Sequence, residues 1–151
     1  MLVRREQIMT ALFSRISAAT FAQPVNGSTT FREKSRRIKL WTDVPPESRP
    51  AMYMVERDES PAFQAENHPA KQTMMVNVFV YTSATGVDTP AADVNNILDG
   101  LDAALAPGPT ERVQTLGGLV SHCRQEGQIF KDPGDLDNDG LIIYPIRIML
   151  T

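Results

Sequence analysis

The sequence predicts an α+β fold, a mostly antiparallel sheet of four or five strands flanked by two helices. Three observations carry this. Two segments place apolar residues at helical spacing, several others alternate or form short apolar runs between turn residues, and the helices are too few to cover both faces of a doubly wound parallel sheet. The order reads helix, strand, strand, strand, helix, strand, strand, without internal repeat or low-complexity tract. With 151 residues, 42% of them hydrophobic and 22% charged, the chain has the size and balance of one domain with one core. Residues 1–151 are therefore read as a single domain.

The first helix is expected over residues 3–20. Ile8, Leu12 and Ile16 recur every four positions with Met9 and Phe13 beside them, which lays an apolar stripe along one side. Gln23-Pro24-Val25-Asn26-Gly27 then supplies helix-stopping and turn residues. Residues 31–41 read as a strand with one wet side, because Ile38 and Leu40 share a face among charged neighbours. Three prolines in residues 43–50 make that stretch a connecting loop. Residues 51–57 and 73–82 are two further strands; in the second, Met74, Val76, Val78 and Val80 alternate with Met75, Asn77, Phe79 and Tyr81, so both faces are largely apolar and the strand is central. Between them residues 58–70 are polar, contain proline and exceed what a hairpin needs, so they are expected to protrude as an arm.

The second helix follows from Thr89 as cap, Pro90 at the first helical position and Asp93 at the positive end of the dipole. Val94, Ile97, Leu98, Leu101 and Leu105 keep helical spacing, and Pro107-Gly108-Pro109 ends it. Residues 119–130 and 141–150 read as a final strand pair joined by residues 131–140, a turn rich in Asp and Gly.

Several function classes are disfavoured by composition. The formal net charge is -3, and the one basic cluster, Arg32, Lys34, Arg36, Arg37 and Lys39, is small beside the footprint expected of a nucleic-acid-binding domain. A solvated strand face is the expected reading of it. Cys123 is the single cysteine, which precludes an internal disulfide and a multi-cysteine metal site. Two arginines precede an apolar stretch at the beginning, as in a signal peptide, but Ser14, Arg15 and Ser17 interrupt it, so an amphipathic helix in the cytoplasm is expected instead. No apolar run is long enough to span a bilayer as a helix.

The chemistry-bearing candidates are few. Asp135-Leu136-Asp137-Asn138-Asp139-Gly140 matches the opening of a calcium-binding loop, where Asp135, Asp137 and Asp139 would converge on one cation. Its twelfth position is Ile146 where a bidentate Glu belongs, and a strand follows where a helix should, so a hairpin turn is the expected reading. His122 and Cys123 are neighbours, and neighbours on a strand point to opposite faces, so a nucleophile–base pair would need His68 instead. There is no phosphate loop and no G-x-G-x-x-G turn; Gly117-Gly118 is read as a tight turn. No catalytic residue and no cofactor are expected. Trp41, Phe63, Met52 and Met54 stand as apolar groups in polar contexts, the methionines being somewhat better suited to the core, and Phe63 on the long arm has the form of an interface anchor.

The order of elements resembles that of tail terminator, or tail completion, proteins of long-tailed bacteriophages and prophages. The likeness rests on an amphipathic opening helix, a proline-introduced strand Arg49-Pro50-Ala51-Met52-Tyr53-Met54-Val55-Glu56, a hydrophobic strand over residues 74–81, a second helix over 91–105 and closing segments at 118–124 and 140–150, and it spans nearly the whole chain. It implies a non-enzymatic subunit at the head-proximal end of the virion tail, assembled in the host cytoplasm. Such a subunit forms a homo-oligomeric ring, a hexamer, that stops tube polymerisation, contacts the tail tube protein and the head–tail connector or neck protein, and lets genomic DNA pass without reading its sequence. In that frame Phe63 and Trp41 are interface candidates, and Arg32, Lys34, Arg36 and Arg37 are candidates for the DNA-facing lumen. Another neck or joining protein, a small metal-dependent hydrolase using the three aspartates with His122, and a non-specific nucleic-acid-binding module are the alternatives.

Overall fold

The computed structural model describes residues 4–62 and 71–150. Helix α1 (Arg4–Ser17) buries Ile8, Met9, Leu12 and Ile16, the stripe its spacing predicts. It stops short of residue 20 because the chain turns straight into β1 (Thr20–Val25), which pairs with β2 (Ser28–Thr30). Asn26 and Gly27 join them with φ values of 50 and 77. Positive φ at both central residues gives the two-residue hairpin whose twist matches its strands. The sequence showed the turn but not the hairpin, since β1 carries Pro24 and buries just Phe21 and Val25.

The predicted strand 31–41 contracts to β3 (Glu33–Ser35), which pairs in parallel with the start of β4 (Ala51–Ala62), Glu33 opposite Ala51 and Ser35 opposite Tyr53. Parallel neighbours cannot be joined by a tight turn. The chain must instead leave β3 and travel back, so residues 36–50 form a crossover with two 3-10 turns, Trp41–Asp43 and Pro46–Ser48. β4 and β5 (Lys71–Ser83) pair from Ala51 opposite Tyr81 out to Ala62 opposite Lys71, with a bulge between Glu56 and Asp58. Both strands therefore outrun their expected limits, and residues 58–62 of the predicted arm are ladder rather than loop. The rest of that arm, with Phe63 and His68, lies outside the described residues.

Helix α2 (Pro90–Leu105) buries Val94, Ile97, Leu98, Leu101 and Leu105. Thr89 sits at the cap position without the side-chain hydrogen bond expected of it, and Pro90 opens the helix as read. Gly100 is where β1 crosses α2: a Cβ there would lie 2.6 Å from the Thr20 carbonyl oxygen, so a side chain would push the hairpin away.

β8 (Asp139–Leu150) runs antiparallel to β5 along its full length. Its other edge takes β6 (His122–Gln125) and β7 (Phe130–Asp132) one after the other, where the sequence predicts a single strand over 119–130. Pro145 accounts for the split. Its carbonyl accepts the Glu126 N–H at 3.3 Å, so its backbone faces this edge, and proline has no N–H to offer there. The six-stranded sheet thus has the order β3-β4-β5-β8-β6, with β7 also on β8, mixed at one parallel pair and otherwise antiparallel. Both helices cover one face. On it Met52, Met54, Met74, Val76, Val78, Val80, Ile142, Ile146, Ile148 and Leu150 form one buried cluster with the helix stripes, and Tyr144 donates to Asp102 of α2 at 2.6 Å.

Candidate protein interface

Among the described residues, the opposite face of the sheet is covered at one end. There Val44 from the crossover packs on Ala51, Tyr53 and Tyr81, with Phe79 and Leu141 half-buried beside them. The Tyr53 and Tyr81 rings lie 5.3 Å apart, and Tyr81 donates to the Lys39 carbonyl at 2.6 Å. Burial raises both phenol pKa values, with Glu33 adding to the effect at Tyr53, so both hydroxyls stay protonated.

Arg49 holds this end together. Its side chain is 3% exposed, and it donates to the carbonyls of Val44 (3.0 Å), Thr82 (3.1 Å) and Trp41 (2.9 Å) and to Asp139 Oδ1 (2.5 Å). One guanidinium thereby ties the crossover, the end of β5 and the start of β8. A planar fork with five donors suits the task, and an ammonium would not reach all four acceptors.

What Arg49 fixes in place is a groove. Ile38, Trp41, Phe79, Tyr81 and Leu141 line a cavity of about 350 Å³, with Asp132, Asp137 and Asp139 along one rim. Trp41 is 53% exposed and Leu40 beside it 70%. Beyond the groove the apolar surface continues across the sheet, since Tyr53, Phe79, Ile143 and Phe130 stand opposite one another in adjacent strands, and Phe130 is 49% exposed. On the same face Asn77 Oδ1 and Arg147 Nε are buried without a hydrogen-bond partner among the described residues. Unpartnered buried polar atoms are uncommon in finished surfaces.

The aspartate string acts as a turn. Asp132 accepts from the Gly134 N–H and Asp137 from the Asp139 N–H, each at 3.0 Å. Gly134 and Asn138 take φ values of 85 and 66. Asp139 is engaged by Arg49, and Leu136 at the tip is fully exposed. Among the described residues no group of three or more His, Cys, Asp or Glu side chains gathers to hold a metal ion. Cys123 is buried in the core, with its thiol pushed up to about 12 by burial, on the side of β6 opposite His122.

The basic cluster is divided among structural tasks. Arg36 bridges Glu6 and Glu56, Lys39 pairs with Glu33, and Arg32 donates to the carbonyls of Asn26 and Glu47. Lys34 and Arg37 are exposed. Of the apolar candidates, Trp41 sits in the groove, whereas Met52 and Met54 are core. Sequence reasoning missed Arg49, whose acceptors are up to 90 residues away, and Phe130, the last residue of the strand expected over 119–130. Nothing in their neighbourhoods signals either role. No helix among the described residues is long and apolar enough to cross a membrane.

No protein-family model matches the sequence, and no curated protein matches it at a significant level. Solved structures do. A chain of the virion of a native gene transfer agent (GTA) particle has a similar fold, with a TM-score of 0.53 and 13% identity over 99% of this chain and 98% of that one.

Proposed function

We propose that the chain is a structural subunit of a phage-like virion, and within it a tail terminator. The observation that supports this best is the likeness of fold to a gene transfer agent virion chain over 99% of this chain and 98% of that one. A subunit of such a particle works by contact, and the sheet face away from the helices offers what contact needs: exposed aromatic and aliphatic groups around a groove, set on a rigid sheet. The expected role is a ring, most simply of six copies, that caps the tail tube, halts its growth and presents a surface to the neck at the head-proximal end. Ring closure requires a heterologous contact, one surface of a copy against a different surface of the next. Phe63, in the arm the sequence predicts, and Trp41 in the groove are the proposed anchors. Arg32, Lys34, Arg36 and Arg37 are the proposed DNA-facing groups, of which Lys34 and Arg37 are exposed while Arg32 also holds backbone carbonyls and Arg36 also pairs with Glu6 of α1; contacts to phosphate would carry no sequence information.

The test is a tube-assembly reaction with the cognate tube protein. Adding this chain should stop elongation at defined lengths and leave a ring visible at one tube end by negative-stain imaging. Tubes that lengthen unchanged, with no added density at either end, would overturn the terminator role.

A further inference from the structure

The groove at Trp41 carries unbalanced charge. Asp132 and Asp137 on its rim form no ion pair among the described residues, while Asp139 is already matched by Arg49. Two carboxylates lining the same groove as Trp41, Phe79 and Tyr81 favour a cation on an aliphatic stem, which the rings attract through their faces and the carboxylates through charge. Such a group exists elsewhere on the same molecule. Arg112 and Val113 are both exposed, on the loop that follows α2. Buried Gln114 holds that loop, donating to the Ala106 carbonyl at 2.8 Å and accepting the Leu116 N–H at 3.1 Å. Gln114 also bridges Cys123, which stands opposite Ile148. The groove lies at Leu141, at the other end of β8, so the two features are about 23 Å apart along the strand at roughly 3.3 Å per residue.

We infer that Arg112, with Val113 beside it, docks into the Trp41 groove of a second copy of this chain, its guanidinium between Asp132 and Asp137. Donor and acceptor surfaces at opposite ends of one sheet cannot satisfy each other within a molecule. They make a head-to-tail contact that repeats and closes when the rotation allows. The inference rests on the reading of the chain as a self-assembling subunit and names the surfaces that would do it.

Sedimentation velocity of the full chain over a range of concentration and salt tests it. Arg112→Ala, and the pair Asp132→Asn with Asp137→Asn, which keeps the amide-accepting oxygens of the turn, should each weaken self-association about tenfold, as added salt should. Combining them should weaken it no further, the signature of one shared contact. Trp41→Ala should weaken association with an unchanged circular dichroism spectrum. Three results overturn the inference: a wild-type chain that stays monomeric at every concentration, association indifferent to Arg112→Ala, or additive effects in the combined variant. If association persists but ignores Arg112, the pairing falls while the virion-subunit reading stands. If groove variants weaken association and Arg112→Ala does not, a different cation fills the groove. A monomer that also fails to join tubes removes both.

Discussion

The two faces of one sheet differ in how far the chain itself completes them. Alternate residues of the same strands, Val78 and Phe79 or Ile142 and Ile143, go to opposite fates. Val78 and Ile142 are sealed beneath α1 and α2, while Phe79 and Ile143 stay half-open. The sealed face is closed by apolar packing and stabilises the fold. The open face is held at one end by Arg49, by the tyrosine pair and by ion pairs at its margins, and leaves aromatic surface uncovered. A face that is rigid and unfinished is suited to another protein, and the contrast says which substitutions should harm folding and which should harm assembly.

The strongest way to sharpen that contrast is to cut into the sealed face. Leu101→Ala removes a fully buried side chain beneath the sheet and should cost about 2–5 kcal/mol, read as a lower midpoint in denaturant at unchanged slope. A loss under about 1 kcal/mol would mean that the helices do not seal the core as described.

Arg49→Met comes next. It takes the guanidinium's hydrogen bonds from three carbonyls and Asp139, though the Trp41 carbonyl keeps the Val44 N–H, at a cost of about 2–3 kcal/mol. Because the damage falls at the groove, Trp41 fluorescence should shift even where the variant is fully folded. A spectrum identical to the wild type would show that Arg49 does not shape the groove.

Acid should act first on the ion pairs at the margins of the sheet, those of Glu33 and Glu126 beside the open face and that of Glu6 on α1. Arg36 holds the Glu6 carboxyl below its ordinary value, Lys39 and then Tyr53 do so for Glu33, and Arg147 does so for Glu126. A carboxylate that binds its proton more weakly when folded stabilises the fold fully above the unfolded value, about 4.5, and that contribution is lost as pH falls through the lower folded value. Thermal stability should therefore hold from neutrality to about pH 5 and decline below it, with Trp41 emission changing before far-ultraviolet ellipticity. Simultaneous loss of both signals would break the distinction between the faces.

The smallest expected effect on stability is the most telling for function. Trp41→Ser removes a half-exposed ring from the groove and should change stability by about 0.5 kcal/mol or less. An unfolded or strongly destabilised variant would mean that Trp41 belongs to the core rather than to the open face.

Much of the sealed face was legible in the sequence. The four-residue spacing of Ile8, Leu12 and Ile16 and the alternation of Met74, Val76, Val78 and Val80 express local geometry, and local geometry is written in neighbouring residues. The open face was not legible to the same degree. Trp41 and the aspartate turn could be singled out, because an aromatic among polar residues and a D-x-D-x-D-G string are local signals. That Trp41, Phe79, Leu141 and Asp137 share one groove could not, since they come from three segments far apart in the chain.

Sequence alone therefore determined the α+β class, the two helices with their buried stripes, the central strand and the hairpin nature of the aspartate loop. Each follows from periodicity or turn chemistry within about a dozen residues. Tertiary structure decided the rest: that β3 runs parallel to β4 and so turns residues 36–50 into a crossover, that Pro145 splits one edge strand into two, and that Arg49 gathers carbonyls from distant loops. Those outcomes depend on which strand lies beside which. That choice is made by burial of the whole apolar surface at once, and no short stretch of sequence carries it.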